Sequence, residues 1–153
     1  MPRHRIPVLF LGLAMLLAAC ASAAASAFST PSAIPSSQPS AAAPTIVLNE
    51  WKVEVASTMT TGRVTFTIKN AGTVPHELLV FKSDLDPAAY PKDKDGNIME
   101  DGPGIKLLSD GENINPGGTQ TRTVDLTSPG KYLFVCNIPG HFKMGMFTIV
   151  TVR

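Results

Sequence analysis

Segments in which apolar and polar residues alternate recur along the chain from about residue 46 onward. Val64, Phe66 and Ile68 alternate with threonines, and an Asn-Ala-Gly turn signal follows at residues 70–72. Because a period of two places successive side chains on opposite faces of a strand, each such segment predicts a β-strand. The predicted strands lie at residues 51–55, 64–68, 76–81, 119–126, 131–136 and 146–152. We therefore expect an all-β domain of about six to eight strands, either a β-sandwich or a small barrel with Greek-key connections.

Residues 82–118 interrupt this pattern with scattered acidic residues and prolines. A loop this long in a compact domain is usually functional or partly disordered. Residues 88–90 can form a short helical turn, which Pro91 would end. The carboxylates of Asp93 and Asp95 suggest calcium, but they lack the spacing of an EF-hand, so a solvated acidic loop is the interpretation we favour.

The N-terminal residues have the character of an export signal. Arg3 and Arg5 precede an uncharged apolar run at residues 6–19, which is short for a membrane-spanning helix of ~20 residues. The run ends in Leu-Ala-Ala-Cys at Cys20, which resembles the bacterial lipobox. This resemblance predicts a signal peptide at residues 1–19 and a lipid-modified Cys20. The alternative is an ordinary secretory signal cleaved at a later Ala-Ser-Ala step.

Residues 20–44 consist almost entirely of Ala, Ser and Pro. They cannot bury enough apolar surface to fold, so they predict a disordered linker to a domain at residues 45–153. We expect an exported protein of the cell envelope, anchored to the membrane through Cys20 and facing the periplasm or the cell exterior. Of the 13 basic residues two lie in the predicted signal, which leaves 11 against 12 acidic residues. This near-neutral balance argues against a nucleic-acid partner.

Residues near the C-terminus concentrate the ligand types that suit copper. Cys136 offers a thiol, His141 an imidazole, and Met144 and Met146 offer thioethers, while His76 is the one further histidine beyond the signal. Two imidazoles, a thiolate and a weak thioether are the ligand set of blue-copper sites. Zinc prefers a closed tetrahedral set of nitrogens and thiolates, for which a thioether is a poor substitute.

Each of these residues also has an ordinary interpretation. Cys136 alone predicts a buried core cysteine or, less readily, a disulfide with Cys20. His141 alone could be a surface histidine, His76 the start of a strand, and the methionines could be packing residues. We favour a metal site because the two histidines and the single cysteine of the predicted domain all fall at fitting positions.

Residues 136–146, together with residues 70–76, resemble the copper sites of the cupredoxin family, which includes plastocyanin, pseudoazurin, azurin and rusticyanin. The resemblance implies a Greek-key β-sandwich that binds one type 1 copper per chain, cycling between Cu(I) and Cu(II). It implies His76, Cys136 and His141 as strong ligands and Met146, rather than Met144, as the axial ligand. Many family members place Asn directly after the first histidine. Here Glu77 stands there, and we expect its carboxylate to affect the reduction potential or partner binding.

The resemblance also bears on function, and electron transfer is the function we favour. Val135 and Asn137 flank Cys136 where multicopper oxidases have histidines, and Gly140 stands where a dinuclear centre would need a cysteine. These positions argue against an enzyme. Partners are expected to be redox proteins that dock transiently with a monomer near His141, on an apolar patch formed by Ile138, Pro139, Phe142 and Met144. The alternative is copper delivery, buffering or resistance, which thioethers would favour because they bind Cu(I).

Overall fold

Nine β-strands form two packed sheets within residues 43–153. The computed structural model describes residues 43–153, so the predicted signal, Cys20 and most of the predicted linker lie outside the described residues. The strands are β1 (Thr45–Asn49), β2 (Lys52–Glu54), β3 (Thr58–Met59), β4 (Arg63–Asn70), β5 (Leu79–Lys82), β6 (Lys106–Ser109), β7 (Thr119–Asp125), β8 (Gly130–Val135) and β9 (Phe147–Val152). Among these residues the structure contains no helix with the length and apolar character needed to cross a bilayer.

The first sheet has the order β2-β1-β4-β7, and the second has the order β3-β9-β8-β5-β6. The pairs β1 with β4 and β3 with β9 are parallel, whereas the other pairs are antiparallel. The inner faces of the two sheets share one apolar core, in which Phe66 and Phe134 meet edge to face with ring centroids 5.9 Å apart. The all-β sandwich expected from the alternating segments is confirmed.

The observed strand bounds differ from the predicted ones where a turn or an isolated bridge interrupts the alternation of apolar and polar residues. Trp51 continues the alternation of Val53 but lies in the turn before β2, with 36% of its surface exposed. The segment expected at residues 76–81 forms its strand only from Leu79, and His76 makes an isolated bridge with Ile114. Three strands were not expected: β1 has five residues, β3 has two, and β6 lies in the segment that lacks alternation.

The central strands of the second sheet are buried on both faces, along β5 and from Tyr132 to Val135 of β8. Tyr132 and Phe134 of β8 face the core between the sheets, whereas Leu133 and Val135 face a second apolar cluster. Side chains from residues 83–105, which we call the covering loop, complete that second cluster. This arrangement explains why β5 and β8 are continuously apolar instead of alternating.

The covering loop is therefore a packed layer that contains little regular structure. It includes a 3₁₀ helix at Pro87–Ala89, which begins one residue before the short helical turn expected at residues 88–90. Tyr90 and Ile98 are its buried contributions to the second cluster. The Asp93 carboxylate accepts hydrogen bonds from the backbone N–H groups of Asp95 and Asn97, which is an Asx-type turn.

Replacing Phe66 with Ala should lower the free energy of unfolding by about 3–5 kcal/mol, because a fully buried ring would leave a cavity between the sheets. The matched control is Lys69→Ala on the opposite, exposed face of β4, for which a change within about 0.5 kcal/mol is expected. Chemical denaturation followed by circular dichroism measures both. Equal losses for the two variants would contradict the packing described here.

Candidate metal centre

The predicted ligands lie at the ends of strands, at one end of the sandwich. Cys136 follows β8 directly, and Met146 directly precedes β9. His141 lies in the loop between these two strands. His76 comes from another part of the chain and exchanges two backbone hydrogen bonds with Ile114, at 3.1 and 2.6 Å. One hairpin thus supplies three residues, and the second imidazole reaches them from the segment that leads into β5.

Three ligand atoms converge. The Cys136 Sγ atom is 3.2 Å from His141 Nδ1 and 3.9 Å from His76 Nδ1, and the two Nδ1 atoms are 3.3 Å apart. The potential ligand atoms of these three residues all lie within 4.8 Å of one another. Atoms that share one ion in a trigonal plane, with bonds of roughly 2.0–2.3 Å, are about 3.5–3.8 Å apart. The observed separations fit a single metal ion.

The two methionines differ sharply in environment. Met146 is fully buried, and its backbone N–H donates to the His141 carbonyl at 3.1 Å, while its own carbonyl accepts from Cys136 at 3.0 Å. Met144 is 56% exposed. The backbone of Met146 is therefore fixed directly to both ligand residues of the hairpin.

Burial favours the neutral form of all three ionisable ligands. Burial lowers the pKa of His76, with Glu50 opposing the effect, and burial together with His76 lowers the pKa of His141. Both imidazoles are consequently neutral near pH 7, which is the form that coordinates metal. Burial raises the pKa of the Cys136 thiol, although the Glu77 and Ile138 N–H groups oppose this. Metal binding at Cys136 thus releases a proton.

Comparison with known proteins identifies the site. The family model described as copper-binding proteins of the plastocyanin/azurin family matches residues 46–153. This chain belongs to that family. A search of curated protein sequences found no significant match. The soft ligand set, its spacing and the family together position His76, Cys136, His141 and Met146 for one copper ion.

Several solved structures are similar to this chain. Dithionite-reduced auracyanin from Roseiflexus castenholzii is 27% identical, with a TM-score of 0.53 over 71% of this chain and 94% of that one. Auracyanin A from Chloroflexus aurantiacus, described as a blue copper protein, is 22% identical, with a TM-score of 0.49 over 71% and 96%. A multi-copper oxidase from Pediococcus acidilactici is 14% identical, with a TM-score of 0.50 over 76% of this chain and 27% of that one.

A buried amide fixes the His76 segment of this cupredoxin. Asn70, at the end of β4, donates from Nδ2 to the carbonyls of Val74 and Ile114 at 2.8 and 2.7 Å. Its Oδ1 accepts from the Gly72 N–H at 2.8 Å. Residues 70–72 are expected from the sequence to form a turn within a stretch that resembles a copper site, but the pattern does not indicate a role for the Asn70 side chain. Asn70 thereby ties that turn to Val74, two residues before His76, and to Ile114, the backbone partner of His76.

A second amide fixes the other ligand loop to the covering loop. The Asn137 side chain pairs with the backbone of Ile98: its Oδ1 accepts from the N–H at 2.8 Å, and its Nδ2 donates to the carbonyl at 3.0 Å. Nearby, the Gly140 N–H donates to Asn97 Oδ1 at 3.3 Å. The covering loop thereby holds the turn that joins Cys136 to His141.

Two neighbours of the imidazoles were missed because they occupy the turn between β1 and β2. Trp51 lies edge-on to His141, with ring centroids 4.8 Å apart. The Glu50 carboxylate lies 3.6 Å from His76 Nε2. The Thr73 N–H, the N–H of Glu50 itself and the Val74 N–H lower the pKa of Glu50 to about 2, so it is ionised at neutral pH. Neither contact could be predicted from the alternation of apolar and polar residues, because that alternation indicates strands and not turns.

Glu77 lies beside the cluster but faces away from it. Its backbone N–H points to Cys136 Sγ, at 3.4 Å. Its side chain lines an acidic cleft of about 600 Å³ that also contains Glu100 and Asp110. Burial, followed by the charge of Asp110, raises the pKa of Glu77 to about 6. The peptide group of Glu77 is therefore its direct contact with the thiol.

The apolar patch expected near His141 has a different composition. Phe142 is only 7% exposed and packs in the second apolar cluster against Phe147. Pro139 and Met144 are exposed, as expected. Trp51, which is partly exposed and lies edge-on to His141, contributes an aromatic ring to this surface instead of Phe142.

Asn137→Ala should lower the unfolding free energy of the protein by about 1–3 kcal/mol, because it leaves the Ile98 N–H and carbonyl without their partners. Asn115→Ala, at an exposed position of the same residue type, is the control and should change it by less than about 0.5 kcal/mol. Denaturant titration measures both. An Asn137 variant as stable as the control would show that the contact with the covering loop contributes little.

Proposed function

We propose that this cupredoxin carries single electrons between redox partners in the cell envelope, using one copper bound by His76, Cys136, His141 and Met146. The observation that carries the proposal is the convergence of two imidazoles and one thiol within 4.8 Å, beside a fully buried methionine. When bound there, copper supplies one-electron exchange between Cu(I) and Cu(II). The dithionite-reduced state of the auracyanin relative supports a redox role.

The contribution of the protein is a ligand arrangement that stays the same in both oxidation states. Asn70 holds Val74 and Ile114, which flank and pair with His76, and Asn137 holds the Cys136 loop against the covering loop. Side chains locked by such contacts are pre-organised. Little rearrangement then accompanies gain or loss of an electron, and exchange is fast.

The residues around the Cys136 thiol are those expected of an electron carrier and not of a copper enzyme. Val135 and Asn137 flank Cys136, so neither neighbour offers an imidazole that leads to a further copper cluster. Gly140 offers no second thiolate. Asn137 instead uses its side chain to hold Ile98, which is a structural role.

The surface near His141 suits a transient partner. His141 is half-buried, and Trp51, Pro139 and Met144 are exposed around the ligand loop. Apolar residues exposed together mark interaction sites, and weak redox encounters use small patches. In this proposal a redox protein docks there on a monomer, which the lipid on Cys20 holds at the membrane.

The second candidate is copper delivery, buffering or resistance in the cell envelope. The exposed thioethers of Met99 and Met144 favour it, because sulfur ligands at the surface can pass Cu(I) to another protein. A delivery protein releases its copper readily, whereas an electron carrier retains it through many redox cycles. Retention of copper thus separates the two functions.

The purified protein loaded with Cu(II) should be intensely blue, because a thiolate in a His₂Cys site transfers charge to Cu(II). Voltammetry should give a reversible one-electron couple, with copper retained over repeated cycles. Cys136→Ser should abolish the visible band. A colourless wild-type protein would refute the copper site, and rapid transfer of copper to a competing apo-protein would favour delivery.

Met146→Leu should raise the reduction potential, because loss of an axial ligand destabilises the oxidised form more than the reduced form. Met144→Leu is the matched control at an exposed position and should leave the potential unchanged. Voltammetry of both variants beside the wild type measures the difference. A larger shift for Met144→Leu would reverse the assignment of the axial ligand.

A further inference from the structure

A carboxylate lies against the outer nitrogen of the buried imidazole. His76 is fully buried, and its Nε2 atom makes no hydrogen bond within residues 43–153. Glu50 Oε1 lies 3.6 Å from that nitrogen, which is within ion-pair distance though longer than a hydrogen bond. Glu50 is thus the charged group that faces this otherwise unpartnered nitrogen.

The two nitrogens of the His76 ring face different groups. The Nδ1 atom faces the cluster, at 3.9 Å from Cys136 Sγ and 3.3 Å from His141 Nδ1. A ring nitrogen that binds metal must be free of its proton, so the neutral ring carries the proton on Nε2, opposite Glu50. A carboxylate at that position fixes the tautomer and makes the ligating nitrogen a stronger electron donor.

The turn after β4 forms a seat for this carboxylate. Glu50 Oε1 accepts hydrogen bonds from the N–H groups of Thr73 and Val74, the latter at 3.0 Å, and from Thr73 Oγ1 at 3.3 Å. Gly72 leaves the space for it, since a Cβ atom there would lie 2.5 Å from Oε1. The carboxylate is therefore held in place by several groups besides His76.

We propose that Glu50 is a positioning residue of the copper centre, which holds His76 in its Nε2-protonated form and whose negative charge favours Cu(II) over Cu(I). The inference rests on the copper site of the proposed function and extends it, because it assigns control of the reduction potential to a residue of the β1–β2 turn. Glu50 acts through His76 and does not itself bind the metal.

Glu50→Gln tests the charge while it keeps the shape. A Gln oxygen can still accept from Thr73 and Val74, so the variant should fold. The affinity for Cu(II) relative to Cu(I) should fall about tenfold, which is a rise in potential of ~59 mV for one electron. Glu54→Gln is the matched control, since Glu54 is an exposed carboxylate of the neighbouring strand β2, paired with Lys52 at 3.0 Å. Equal potentials in the two variants would overturn the inference.

Gly72→Ala tests the position while it keeps the charge. The added methyl group would displace the Glu50 carboxylate from its seat, and the potential should rise as it does in Glu50→Gln, by less than the same tenfold factor. A potential equal to that of the wild type, with Glu50 shown to be displaced by NMR, would contradict a role for the seat. If Glu50→Gln is poorly folded, Gly72→Ala still tests the inference.

A measurement without copper separates this inference from the proposed function. In the metal-free protein, the ¹⁵N shifts of the His76 ring should report the Nε2-protonated tautomer, and Glu50→Ala should give a mixture of tautomers. A wild-type ring that is already mixed would overturn the positioning role. A pure tautomer in a wild-type protein that forms no blue copper site would support that role while refuting the proposed function.

Discussion

From Tyr132 to Val135, strand β8 is buried on both faces, and the rest of the structure depends on this double burial. Tyr132 and Phe134 need the first sheet as cover, whereas Leu133 and Val135 need the covering loop. Because Cys136 directly follows β8, the layers that bury the strand also fix the thiol. The covering loop thus serves the core and the metal centre together, since the segment that supplies apolar cover also holds the ligand loop.

The fold could be predicted from the sequence where a strand has one buried face and one solvent-exposed face. β4 is such a strand, and its alternation around Phe66 indicated both its type and its buried side. The prediction failed at Trp51, because period two continued across a turn that only tertiary pairing defines. It also left the covering loop unexplained. Tyr90 and Ile98 are isolated apolar residues, and their burial depends on a sheet assembled from distant parts of the chain.

The candidate site could also be predicted only in part. The ligand types could be predicted, since a thiol, two imidazoles and a thioether are rare chemistry at characteristic spacing. The residues that orient them could not. Asn70, Asn137 and Glu50 are ordinary polar residues in turns and loops, and their partners lie as far as 23 to 44 positions away. Only the folded chain shows which turns meet, and hence which polar side chains support ligands.

The position of β9 has a consequence for the order of assembly. This strand lies inside its sheet, between β3 and β8, and His76 is 60 residues from Cys136 and 65 from His141. Contacts over such separations form late, because the entropy of closing long loops opposes them. Before the sandwich closes, the hairpin of β8 and β9 can bring Cys136, His141 and Met146 together only without His76. The full set of ligands is therefore assembled only when the whole sandwich has closed.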